Sequence, residues 1–177
     1  MPTLCYCILI VEGDPEVIQA FIDTSTERNT YTYTMMSTLY APDKQTFYMD
    51  KLSFHKMMPL PNECEIEIDT VSVWGAELRW VEEKELDEEG KRIRQDRAVF
   101  QMECRNGNVP LPIVKHCGIN FPDLCFTIAW YSEGSGCYGR MIVEGGNVIE
   151  DECLGYGEQD EYGFMGYLKK HKIEWYG

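Results

Sequence analysis

Four acids alternate with apolar residues in Glu63-Cys64-Glu65-Ile66-Glu67-Ile68-Asp69. In an extended strand, side chains two apart share a face. Glu63, Glu65, Glu67 and Asp69 therefore line one side, and Cys64, Ile66 and Ile68 the other. Carboxylates about 7 Å apart along one face resemble the spacing of phosphates on a nucleic-acid strand. Such a row either imitates nucleic acid and docks in a basic groove, or keeps a solvated edge strand from pairing. Further acids crowd together at Glu82, Glu83, Glu85, Asp87, Glu88 and Glu89, and again at Glu150, Asp151 and Glu152. A last group is Glu158, Asp160 and Glu161.

Other residue types with chemical potential lack the spacing that chemistry needs. Cys5 and Cys7 share a strand face, but no Cys-x-x-Cys pair exists to complete a metal site, so they read as core thiols. His55, His116 and His171 have no Glu-x-x-His neighbour, and His55 beside Phe54 and Met57 reads as structural. Ser135 sits between glycines without the Gly-x-Ser-x-Gly spacing of a nucleophile elbow. Asn106-Gly107-Asn108 lacks the lysine of a phosphate loop. No catalytic residue, metal or cofactor is expected.

The chain's net charge is −14, from 30 acids against 16 bases. That field opposes nucleic acid and anionic lipid and favours a partner with a basic surface. Trp80, Phe100, Phe126, Trp130 and Tyr131 have the types of a base-stacking platform, yet the field opposes a polyanion and core packing explains them better. The first residues carry no basic, apolar leader, and no run reaches the roughly 20 apolar residues of a membrane span. The eight cysteines are then expected as thiols in a reducing compartment, the cytoplasm of a host cell.

The elements that position these groups follow from periodicity and breakers. Leu4 to Val11 reads as a buried strand, and Asp14-Pro15 as the cap and first turn of a helix with Val17, Ile18, Phe21 and Ile22 on its buried stripe. Residues 30–70 form an insert, with an extended stretch from Thr30 to Tyr40 and a helical turn within Lys51 to Met58. Val71 to Val81 is a strand that Glu82 to Glu85 prolong as a solvated arm. Asp87 to Gly90 is its turn, and Ile93 to Cys104 runs back. A short helix opens at Val109 and ends around Gly118, with Pro112 in its first turn. Strands follow over Leu124 to Tyr131, Cys137 to Val143 and from Val148, and residues 153–177 form an extension. The order β-α-insert-β-β-α-β within one domain of residues 1–177 is that of a ferredoxin-like plait, an α+β fold with two helices on one face of an antiparallel sheet.

Several segments are similar to the YubB-like, or Api-type, proteins of phages and plasmids. Cys5 with Gly13-Asp14-Pro15-Glu16, the run Leu52 to Pro61, Trp74-Gly75-Ala76, and Phe121-Pro122-Asp123-Leu124 followed by Tyr131, Glu133 and Gly139 carry the resemblance, over roughly residues 1–152. The chain departs from that pattern at Leu4 and Cys7, and before the second helix. The resemblance implies a ferredoxin-like domain and a mobile-element origin, and it brings no catalytic residues. Together with the charge it gives the expectation of a non-enzymatic protein that docks on and inhibits a basic, nucleic-acid-binding host protein such as a defence component. The alternatives are a small-molecule site between the sheet and the insert, and a homo-oligomer joined through a sheet edge.

Overall fold

Leu4–Glu12 is a nine-residue strand (β1) that takes the third place in a six-stranded sheet. With neighbours on both sides and cover on both faces, Cys7 to Val11 are buried without alternation. The computed structural model describes residues 4–35, 43–59, 75–105, 107–155 and 163–176. The helix α1 (Pro15–Ser25) starts as its sequence dictates. The Asp14 carboxylate accepts the Glu16 N–H at 2.9 Å, and proline fills the first helical position, where an N–H would have no partner. Ile18, Phe21 and Ile22 turn inward and Val17 packs at the margin.

The chain passes from α1 directly into β2 (Thr26–Met35), which pairs antiparallel with β3 (Asp43–Leu52) as a separate two-stranded sheet. Ser53 then caps a single turn, α2 (Phe54–Met57), and Leu52, Phe54 and Met57 join the main core. The strand expected to begin at Val71 is described from Glu77, as β4 (Glu77–Lys84), and it pairs with β5 (Arg97–Arg105). A bulge between Leu78 and Trp80 breaks the alternation. One extra residue at Arg79 lets Leu78 and Val81 face the same core and leaves Trp80 37% exposed on the other side.

Helix α3 (Leu111–Asn120) carries Pro112 in its first turn and seats Ile113, Val114, Cys117 and Gly118 inward, ending two residues beyond the expected Gly118. The strands β6 (Cys125–Ser132), β7 (Cys137–Glu144) and β8 (Asn147–Gly155) finish the sheet. The β7–β8 turn needs positive φ at both central residues, and Gly145 and Gly146 supply it at 56° and 76°. The strand order is β4-β5-β1-β6-β7-β8, antiparallel throughout. This α+β arrangement is compatible with a ferredoxin-like plait.

Two cores result. On one face, α1, α2 and α3 cover Cys5, Cys7, Leu9, Val11, Phe100, Phe126, Ile128 and Trp130. The opposite face is covered by the C-terminal segment: α4 (Gly163–Lys170) and the residues after it pack Leu168 and Ile173 on Ile8, Ile10, Val99 and Ala129. That second layer comes from the part of the chain assigned only as an extension. Helix α4 ends with Lys172 at φ 55° and with hydrogen bonds from His171 N–H to Tyr167 and from Ile173 N–H to Leu168, a left-handed cap of the kind glycine usually fills. The five aromatics of the candidate platform divide between the layers. Phe100, Phe126 and Trp130 are buried beneath the helices, and the half-buried Tyr131, one residue on from Trp130, faces the other way by the strand's period of two.

Candidate partner-binding surface

The β4–β5 hairpin projects the acids of residues 82–89, and its own bases answer most of them. Glu82 lies 2.9 Å from Lys84, Glu83 2.6 Å from Arg92, Glu85 3.5 Å from Arg97, and Glu89 2.6 Å from Lys91. Asp87 is the hinge of the tip: its carboxylate accepts the backbone N–H of Glu89 at 2.9 Å and of Lys91 at 2.8 Å, the local bond that makes aspartate a turn residue. Arg92 also donates through Nη1 and Nη2 to Gln19 on α1, at 3.2 and 3.3 Å, and so ties the arm to the helical layer. Tyr176, near the C-terminus, donates its hydroxyl to Glu85 at 2.6 Å. Burial, then this carboxylate, pushes the phenol well above its usual range, so it stays a donor.

Residues 82–97 hold seven acids and five bases, so the arm contributes −2 to the total of −14. A reading of the acids alone misses this, because four of the five bases come after the turn, at 91–97. Alternating sign across the two arms of a hairpin was the available signal. Residues 60–74 and 156–162 together hold seven acids and no base, half of the net charge. The row Glu63, Glu65, Glu67 and Asp69, like Glu158, Asp160 and Glu161, lies outside the described residues.

The third cluster stands apart from the arm. Glu150, Asp151 and Glu152 belong to β8, the far edge of the sheet from β4. Five interstrand steps of about 4.8 Å separate the two edges by about 24 Å, so the clusters at 82–89 and 150–152 form two surfaces. Here too the inward acids are committed. Glu150 accepts from Arg140 through Nε at 3.0 Å and through Nη2, and Glu152 accepts the Tyr167 hydroxyl at 2.8 Å. Burial and then Glu152 raise the Tyr167 phenol well above its usual range. Asp151, Glu82, Asp87, Glu88 and Glu89 are exposed, whereas Glu83, Glu85, Glu150 and Glu152 are half-buried in the bonds described.

The thiols of Cys7, Cys117 and Cys125 are not poised for chemistry. Cys5 Sγ and Cys7 Sγ are 3.7 Å apart, and Cys104 stands opposite Cys5 across the β1–β5 pairing. Hydrogen bonds with Cys104 and Cys5, then burial, hold the Cys7 thiol well above its usual range. Burial pushes Cys117 up to about 12, and burial followed by Glu144 and Glu12 raises Cys125. Each shift moves away from the thiolate that nucleophilic or metal chemistry requires. Among the described residues no group of three His, Cys, Asp or Glu converges to hold a metal ion. Ser135 Oγ donates to Ser132 Oγ at 2.6 Å, and Ser132 Oγ to the Gly107 carbonyl at 2.6 Å, a chain that pins the β6–β7 turn. The His55 side chain lies outside the described residues.

A cavity of about 310 Å³ lies between α1 and the hairpin, lined by Gln19, Glu83, Leu86, Gly90, Lys91, Arg92 and Gln95. Its lining includes no residue of the 30–60 segment, beside which the alternative small-molecule site would lie, and the Arg92 guanidinium in it is already engaged by Glu83 and Gln19. No helix among the described residues is long and apolar enough to cross a membrane. Comparison with protein-family models, with curated proteins and with solved structures finds no match for this chain.

Proposed function

We propose that this chain is a non-enzymatic binding protein of a phage or related mobile element that docks on a basic host protein and inhibits it. The partner class is a nucleic-acid-binding protein, such as a defence component, whose phosphate sites would receive carboxylates. The scaffold in this reading is a ferredoxin-like plait: β1, α1, the β4–β5 hairpin, α3 and β6 follow its chain order, and β6-β1-β5-β4 its spatial order. The resemblance to the YubB-like proteins gives the same scaffold and the mobile-element origin.

The observation that carries the reading is where along the chain acids stand without neighbouring bases. The hairpin arm balances itself, while residues 60–74 and 156–162 hold seven acids with no base. Segments this rich in acid and free of bases are the candidates for charge-assisted bonds to a partner's Arg and Lys, and acids with no internal cation are the ones available for them. Among the described clusters, the exposed Glu88 and Asp151 are candidate contacts by the same logic; Glu82 and Glu89 are already paired with Lys84 and Lys91, Asp87 with the turn's own N–H groups, and Glu83, Glu85, Glu150 and Glu152 are supports.

The test is affinity capture from host lysate at low and high ionic strength, using the wild type and a Glu65→Lys, Glu67→Lys variant. The expected result is a basic protein retained at low salt, released at high salt, and lost with the variant. Retention that ignores both salt and charge reversal would sink the mechanism.

A further inference from the structure

The strap formed by α4 and residues 171–176 crosses the sheet from edge to edge. At one end Tyr167 donates to Glu152 on β8, and at the other Tyr176 donates to Glu85, just past the end of β4. Between these anchors the sheet presents a row of tyrosines: Tyr6, Tyr131 and Tyr138 stand opposite one another in register on β1, β6 and β7. The strap's own rings sit on that row. Phe164 lies 5.4 Å from Tyr131 at an interplanar angle of 28°, and Trp175 meets Tyr6 edge-on at 6.4 Å.

The seat beneath the strap is imperfectly matched. Among the described residues, four buried side-chain atoms lack a hydrogen-bond partner: Glu85 Oε2, Arg97 Nε, Gln101 Oε1 and His171 Nε2. His171 belongs to the strap, and Glu85 is its terminal anchor with Arg97 beside it. Gln101 pairs with Ile8, which Leu168 and Ile173 cover. All four thus lie at the strap–sheet junction, and among the described residues the helix-side core has none. Buried polar groups are nearly always paired in folded proteins, and an orphan opposes whatever contact keeps water from it. Glu85 adds backbone strain, with φ 57° in the left-handed region that residues with a Cβ seldom occupy. Orphans and strain concentrated in one contact mark it as the first to open.

We propose that residues 163–176 are a releasable strap: they undock as a unit from an intact sheet and helical layer, with Tyr176–Glu85 as the latch, and uncover Tyr6, Tyr131 and Tyr138. The strap is therefore the resident occupant of an aromatic platform, held in place and displaceable. Nothing in this depends on the acidic surface acting as proposed above.

Native-state hydrogen exchange tests it on the whole chain, together with nitration of Tyr138, which is 2% exposed while the strap is seated. The amides of His171, Lys172 and Ile173, all hydrogen-bonded in the seated strap, are expected to open at least tenfold more often than those of Cys7 to Leu9 in β1. Tyr138 is expected to be nitrated at the strap's opening rate rather than at the rate of global unfolding. Tyr176→Phe removes the latch hydroxyl and should raise both rates roughly tenfold, as loss of a hydrogen bond to a charged group does, without changing exchange in α1 and α3. Strap amides and Tyr138 that respond only at the global rate of the wild type would overturn the proposal. So would a Tyr176→Phe variant that leaves them unchanged, or one that loosens the whole domain equally.

Discussion

Gly118 sits where α3 meets β7, and replacing it with alanine sets two effects against each other. In a helix interior alanine is favoured over glycine by about 1 kcal/mol. The added Cβ, however, would lie 2.3 Å from Val143 Cγ1 and 3.3 Å from Val143 Cβ. Carbon atoms pack best at about 3.5–4.0 Å, so helix and strand would have to part by more than 1 Å. Val143 is 0% exposed and cannot swing into solvent. Overpacking of this kind costs about 1–3 kcal/mol, which at least offsets the propensity gain. Gly118→Ala should therefore lose up to about 2 kcal/mol net, although alanine is the better helix former. Val143→Ala alone should cost about 2 kcal/mol by leaving a cavity. In the double variant the new methyl occupies the space that the valine methyls vacate, so the losses should fall short of additivity by at least about 1 kcal/mol. Urea unfolding of the four proteins, with equal m-values, is the assay. Additive losses, or a stabilised Gly118→Ala, would refute the close packing of α3 on β7.

Two further outcomes follow from the polar contacts. Arg92→Met leaves the 23%-exposed Glu83 without its cation and should cost about 1–3 kcal/mol in urea unfolding, part of it recovered by adding Glu83→Gln; no loss would mean that the pair does not brace the arm. His171 is held below its usual value of 6.5 by burial and then by Arg140 and Lys170, against the opposing pull of Glu152 and Glu150, with the Tyr167 ring 4.5 Å away. A lowered histidine binds its proton less readily folded than unfolded. Its contribution is thus complete above pH 6.5 and lost as pH falls from there through the folded value. Unfolding midpoints measured on either side of pH 6.5 should differ more for the wild type than for His171→Gln.

How much of the fold was legible depended on whether a segment's signal was local. Asp14 and Pro15 specify a helix start by their own chemistry, and α1 begins there. The glycines at 145 and 146 specify a tight hairpin, because only their conformational freedom fits it. Where tertiary packing decides, the pattern gave less. The bulge at Arg79 is invisible in a strand's alternation and only shows as Val81 inward with Trp80 outward. Residues 163–176 look polar and aromatic rather than strand- or helix-like. They become a structural layer because Leu168 and Ile173 find an apolar sheet face that the other helices leave uncovered. A strand buried on both faces, as β1 is, already implied that such a cover exists.

The candidate site was legible in composition and illegible in arrangement, for an electrostatic reason. Clusters of acids can be counted along a chain, but an ion pair is a relation across space, and its two members need not be neighbours. Glu83 with Arg92, Glu85 with Arg97, and Glu150 with Arg140 are each nine to twelve residues apart, the span of a hairpin. Each pair converts an apparent docking carboxylate into a strut. In a hairpin of alternating charge, the acids nearest the sheet are therefore the poorest candidates for recognition and the best candidates for stability. If the partner is basic, substitutions at Glu88 and Asp151 should weaken binding without unfolding the protein, and substitutions at Glu83 and Glu150 should do the reverse. Binding and stability measured on the same four variants separate the two roles, and a set in which both properties fall together would contradict the division.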